Sequence, residues 1–187
     1  MKKTLITILV TVLVCFGVVG TTFAWLMDKT ATVENTFTVG DIEISLAESD
    51  NLDLKMVPGK KITKDPKVTV EADSEACWLF VKIDETNNTF IKDGSTQKFV
   101  TYTVANGWTA LAGQAGVYYR SIDATTAASG ITYSVLADDQ VVINTAATAT
   151  DLEAANTNKP VLAFTAYAVQ SEGVADAATA WGYTTNP

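Results

Sequence analysis

Ala76-Cys77-Trp78-Leu79-Phe80-Val81-Lys82-Ile83-Asp84 decides the fold of this chain. Read with a period of two, it puts Cys77, Leu79, Val81 and Ile83 on one side of an extended strand, with Trp78 and Phe80 on the other. A strand that is apolar on both faces must be covered above and below, so this one is predicted to lie at the centre of a sheet. Asn87-Asn88 closes it.

The same period continues outward in both directions. Toward the N-terminus, Val68 and Val70 alternate, and Pro66 confines that strand to an edge or to a start near Lys67. Ile62 precedes it, and Pro58-Gly59 predicts a type II turn, because glycine tolerates the positive φ at the third position. Leu52, Leu54 and Met56 alternate before the turn. Further back, Ile42, Ile44 and Leu46 follow Gly40-Asp41 and the short run 36–39, a pattern that predicts a hairpin or a sharp bend. Toward the C-terminus, residues 99–104, 117–121 and Val161–Gln170 read as strands, the last entered through Lys159-Pro160. Residues 131–136 and 140–144, separated by Ala137-Asp138-Asp139, predict a second hairpin. Two helices are predicted as well. Thr150-Asp151-Leu152-Glu153 has the form of a capping box, and Val174, Ala177, Ala178 and Trp181 recur at helical spacing in an alanine-rich stretch. The predicted fold is all-β: a β-sandwich with jelly-roll or Greek-key connections, one or two short helices, and a signal helix in front.

The chain begins with that signal. Met1, Lys2 and Lys3 are followed by an apolar run from Leu5 to Val19, and Gly20-Thr21-Thr22-Phe23-Ala24 supplies small residues. Thr22 and Ala24 occupy the −3 and −1 places of a cleavage site, so the cut is predicted before Trp25. The run is shorter than the ~20 residues a spanning helix needs; an uncleaved anchor is the alternative. The domain scheme is therefore a signal peptide over 1–24 and a single domain over 25–187. The predicted destination is the cell exterior, with membrane contact only through the uncleaved signal.

Composition narrows the chemistry. The formal net charge of −8 grows more negative once Lys2 and Lys3 are removed, which argues against nucleic-acid partners. Cys15 lies inside the apolar run and leaves Cys77 alone in the mature chain, so stability must come from burial and backbone pairing. Cys77 is expected to be a buried, inert thiol. With no histidine, Ser-His-Asp and Cys-His hydrolysis, His-based zinc sites and the HExxH helix are all excluded. No catalytic, metal or cofactor residue is predicted. Asp50-Asn51-Leu52-Asp53 and Asp138-Asp139 come nearest to calcium loops but lack EF-hand spacing and read as solvated turns. Lys60, Lys61 and Lys64 read as guards of an edge strand. Trp108, Tyr118 and Tyr119 flank the Gly113–Gly116 loop and offer either core filling or a sugar-stacking surface.

Two stretches carry a resemblance. Phe23-Ala24-Trp25-Leu26-Met27-Asp28, with Asn35-Thr36-Phe37-Thr38-Val39-Gly40-Asp41-Ile42-Glu43-Ile44, resembles the junction of the TasA–camelysin family of exported Gram-positive proteins. Leu54-Lys55-Met56-Val57-Pro58-Gly59-Lys60-Lys61-Ile62-Thr63-Lys64 is similar to that family's L-x-P-G-x-x-x-T-K turn. Ala166-Tyr167-Ala168-Val169-Gln170 with Ala180-Trp181 resembles its C-terminal A-Y-A-x-Q…A-W pattern. The resemblance implies a jelly-roll subunit of a biofilm-matrix or cell-surface fibre, freed by a dedicated signal peptidase and joined to copies of itself or to related subunits. It also implies that residues 25–38 act as a donor strand, anchored by Trp25, Leu26, Val33 and Phe37, which adds to the next subunit. The alternative is that this segment pairs within its own domain. Some relatives are described as metalloproteases, a reading the missing histidine speaks against.

Overall fold

Residues 41–49, 55–126 and 129–185 are described by the structure, a computed structural model. All belong to one compact unit, Val39–Pro187. The signal peptide, its cleavage residues Thr22, Ala24 and Trp25, the assembly anchors Trp25, Leu26, Val33 and Phe37, and Asp50-Asn51-Leu52-Asp53 lie outside the described residues.

In chain order the first strands are β1 (Ile44–Ala47), β2 (Lys61–Thr63), β3 (Lys67–Val70), β4 (Cys77–Thr86), β5 (Thr89–Lys92) and β6 (Ser95–Lys98). There follow β7 (Val100–Thr101), β8 (Thr109–Ala110), β9 (Val117–Ile122), β10 (Ile131–Ser134), β11 (Gln140–Ile143) and β12 (Val161–Gln170). Helix α1 (Ala149–Thr157) precedes β12, and α2 (Ala177–Thr185) follows it. The largest sheet has the order β12-β4-β9-β8, with β4 antiparallel to both long neighbours. Two three-stranded sheets, β1-β3-β10 and β2-β11-β7, supply the opposing residues.

The double-sided apolar pattern of β4 has a direct structural cause. Cys77, Leu79, Val81 and Ile83 join the main core with Val68, Val70, Val135, Leu136, Val141 and Ile143 from the smaller sheets. On the opposite face Phe80 is fully buried beneath α2, in a second cluster with Ala180 and Trp181. The Trp181 ring lies 5.3 Å from both Phe80 and Tyr167, edge-on to the latter. This helix starts at Ala177, where the Asp176 carboxylate accepts the Thr179 amide at 2.8 Å; Val174 stays in the preceding turn. β4 is thus the one strand sandwiched between a sheet and a helix, an all-β sandwich with a helical lid on one face.

Several predicted details take another form. Residues 131–144 are not a hairpin: β10 pairs with β3, and β11 pairs with β2 and β7. The 3-10 turn Ala137–Asp139 carries the chain from one sheet to another, with Asp138 and Asp139 at φ 56 and 51°. Left-handed residues in sequence turn the chain too far for direct pairing of its flanks. Residues 99–104 form only β7 and an isolated bridge, Val104 to Leu136. The capping box lies two residues earlier than predicted: Thr148 caps, Asp151 reciprocates, and Thr150 is already helical. Asp suits that N3 place as well as the Glu of the expected box, being close enough to accept both the Thr148 amide at 2.8 Å and its hydroxyl at 2.6 Å. The β5–β6 hairpin was not anticipated, although Asp93-Gly94, with φ 49 and 75°, is the dipeptide such turns prefer.

The acidic caps make stability depend on pH. Hydrogen bonds from the Ser49 hydroxyl and amide, at 2.7 and 3.1 Å, hold Asp65 below the ordinary carboxylate range. Asp151 and Asp176 are lowered in the same way by Thr148 and Thr179. At Glu85 burial pushes upward, but hydrogen bonds from Lys98, Asn88 and Tyr102 outweigh it and the net shift is downward. A carboxylate with a depressed folded pKa contributes stability above its unfolded value, and that contribution is lost as pH falls through the folded one. The urea midpoint should therefore stay level between about pH 6 and 8, where this histidine-free chain has no ordinary side chain to titrate, and fall steadily below about pH 4.

Candidate functional site

An edge strand leaves one row of backbone N–H and C=O groups unpaired, and natural sheets guard such rows with charge, proline or bulges. β12 is an edge: among the described residues it ladders with β4 alone. It is ten residues long, Val161-Leu162-Ala163-Phe164-Thr165-Ala166-Tyr167-Ala168-Val169-Gln170, without a charge or a proline. Val161, at 47 % exposure, and Ala163 and Thr165 face solvent along its first half. β1 packs beside β12 without pairing to it.

Next to that half lies an apolar groove of about 240 Å³ between β12 and the β2-β11-β7 sheet, lined by Met56, Ile62, Val141, Val161 and Leu162 among others. The Pro58-Gly59 turn shapes one end of it. Gly59 stands at φ 77°, and its amide donates to the Ile143 carbonyl at 2.9 Å. The Lys60 amide closes the turn on the Val57 carbonyl, as a type II turn requires. Lys64 covers the groove: its ammonium bonds Glu48 at 2.7 Å and sits 5.2 Å from the centre of the Phe164 ring. By contrast β2, the edge strand of its own sheet, carries the exposed Lys61, which fits the guarding role read from the sequence.

The other sequence candidates separate. Tyr118 and Trp108 pack against the main core, whereas Tyr119 faces the second cluster beside Trp78 and Phe80. Adjacent residues on a strand point to opposite faces, so the three aromatics do not form one platform. Cys77 is fully buried, and burial pushes its thiol up to about 11. Asp138 and Asp139 shape the turn between sheets, and Asp139 faces Lys67 at 3.6 Å.

Residues 1–98 match the family model described as camelysin metallo-endopeptidase. The chain belongs to the TasA–camelysin family. No curated protein and no solved structure matches it. The matched camelysin region runs from the signal through β6 and includes the Pro58-Gly59 turn. The A-Y-A-x-Q…A-W pattern lies beyond it, and the fold explains that pairing of motifs: Tyr167 of the first stacks edge-on against Trp181 of the second.

The description of the camelysin family implies a metal centre. Zinc endopeptidase sites are built largely on imidazole ligands, and this chain has no histidine. Among the described residues no group of three or more Cys, Asp or Glu side chains is placed to hold a metal ion. The donor set does not fit such a centre, and no hydrolytic step is assigned to it. No helix among the described residues is long and apolar enough to cross a membrane.

Proposed function

We propose that this chain is an exported, non-enzymatic structural subunit of an extracellular or cell-surface filament. The signal peptide directs export, and a signal peptidase cutting before Trp25 frees residues 25–38 as a donor strand. That strand adds to a neighbouring subunit along β12, with Trp25, Leu26, Val33 and Phe37 supplying side-chain anchors. Main-chain hydrogen bonds give affinity, and the groove beside Val161 and Leu162 gives specificity. A head-to-tail contact of this kind propagates as an open filament.

The observation that carries the reading is the unguarded β12 edge beside an apolar groove, in a family of exported proteins. The test is a charge placed on that edge. Ala163→Lys, at an exposed position, should leave the far-ultraviolet spectrum and the urea midpoint within about 0.5 kcal/mol of the parent. It should also abolish filaments in electron micrographs of the processed protein. Unaltered filaments would place the contact elsewhere.

A further inference from the structure

Arg120, the only arginine of the chain, has a setting that strand donation does not use. It projects from β9 with its guanidinium 3.9 Å from the centre of the Tyr133 ring and 5.3 Å from that of Trp108. Trp108 is itself fixed, because its indole N–H donates to the Ser134 carbonyl at 2.9 Å. Gly107 leaves the space: it stands at φ 89°, and a Cβ there would come within 2.6 Å of an Arg120 Nη. Stacking between aromatic rings holds a guanidinium plane in one orientation and stabilises its charge.

That charge has no partner in the protein. Lys64, Lys67, Lys82 and Lys98 each meet a carboxylate, whereas Arg120 meets none among the described residues. Its Nε is buried without a hydrogen-bond acceptor, in a chain with 21 acidic residues available to supply one. Burial lowers the pKa of this guanidinium, which is the direction an uncompensated cation takes. Beside the stack lies a cleft of about 280 Å³ lined by Thr103, Asn106, Ser134 and Asp138, among others. Asn106 adjoins Gly107, and Ser134 adjoins Tyr133, so the cleft abuts the guanidinium.

We propose that Arg120 and this cleft bind a uronic acid unit of an acidic polysaccharide. A carboxylate matches the guanidinium fork and supplies the missing counter-charge. The other end of the cleft suits hydroxyl donors, since the exposed Asp138 carboxylate and the Asn106 amide oxygen both accept hydrogen bonds. Asp138 also repels ligands that carry negative charge throughout, as does the net charge of −8. The selected ligand therefore combines one carboxylate with several hydroxyls, which is the composition of a uronate. In the filament, such sites would tie subunits to matrix polysaccharide; binding itself requires only the folded domain.

Titration of the full chain with oligogalacturonate tests this, with neutral oligogalactose as the control. The expected result is saturable binding of the uronate that weakens with added salt, and none of the neutral sugar. Arg120→Gln should weaken binding by about tenfold or more, as loss of a charge-assisted pair does, and Arg120→Lys should restore part of it. Asp138→Asn alters only an exposed side chain, so it reports on the cleft even if Arg120→Gln fails to fold. It should change affinity for the uronate and raise that for inorganic sulfate. Equal binding by Arg120→Gln, equal binding of the neutral sugar, indifference to Asp138→Asn, or no uronate binding at millimolar concentration would each overturn the proposal. Filament formation by the Arg120 variants should be unchanged, which separates failure here from failure of the assembly reading.

Discussion

Deleting residues 25–37 from the processed chain yields a folded monomer that forms no filaments. The physical basis for folding is that both hydrophobic cores are built, among the described residues, from Ile42 onward. The domain's first described contacts also begin there: the Glu75 amide donates to the Asp41 carbonyl and the Glu71 amide to Glu43. The basis for lost assembly is the energy of the anchors. Burying a large apolar side chain contributes about 1.5–3 kcal/mol, so removing Trp25, Leu26, Val33 and Phe37 together removes more than the net free energy of a micromolar contact after ordering costs. Size-exclusion chromatography should show a monomer, circular dichroism an unchanged β-spectrum, and electron microscopy no fibres. Two other outcomes would each be decisive. Fibres from the deleted chain would move the interface onto the folded domain, whereas an unfolded product would mean that residues 25–38 complete their own domain.

What could be read from the sequence divides along the range of the interactions. β4 and β12 were legible because burial is written into their composition: a continuous apolar run for the strand covered on both faces, and a β-branched and aromatic run for its neighbour. The Pro58-Gly59 turn was legible because only glycine meets its φ of 77° at no steric cost. The 131–144 segment misled for the opposite reason. Its two strands alternate correctly, but their partners, β3 and β2, are set by long-range packing that local pattern does not encode. The acceptor edge was illegible as well, since nothing in Val161–Gln170 says which side β4 will occupy. The Arg120 stack joins residues from three separate stretches, and only the positive φ of Gly107 marks it locally. The helix over the outer face of β4 was half legible: Trp181 announced a docked helix, while the receiving surface around Phe80 was visible only as an excess of apolar residues on the second face.

That receiving surface is where a single substitution should cost most. Phe80→Ala removes a side chain that is fully buried between β4 and α2, in contact with Trp181 at 5.3 Å and Tyr119 at 6.3 Å between ring centres. Truncating a buried phenylalanine costs about 3–5 kcal/mol, the transfer term plus that of the cavity left behind. Domains of this size have only about 5–15 kcal/mol to lose. The urea midpoint should drop accordingly, and the emission of Trp181 should shift to the red before the main transition, because α2 is held largely by this one cluster. Trp181→Ala should give a loss of similar size. The double variant should lose less than the sum, by roughly 0.5–1.5 kcal/mol, since the two rings interact directly. Additivity would mean instead that each ring packs independently against the sheet. In that case α2 would not be a covering layer of the sandwich, and the double-sided apolar character of β4 would need another cause.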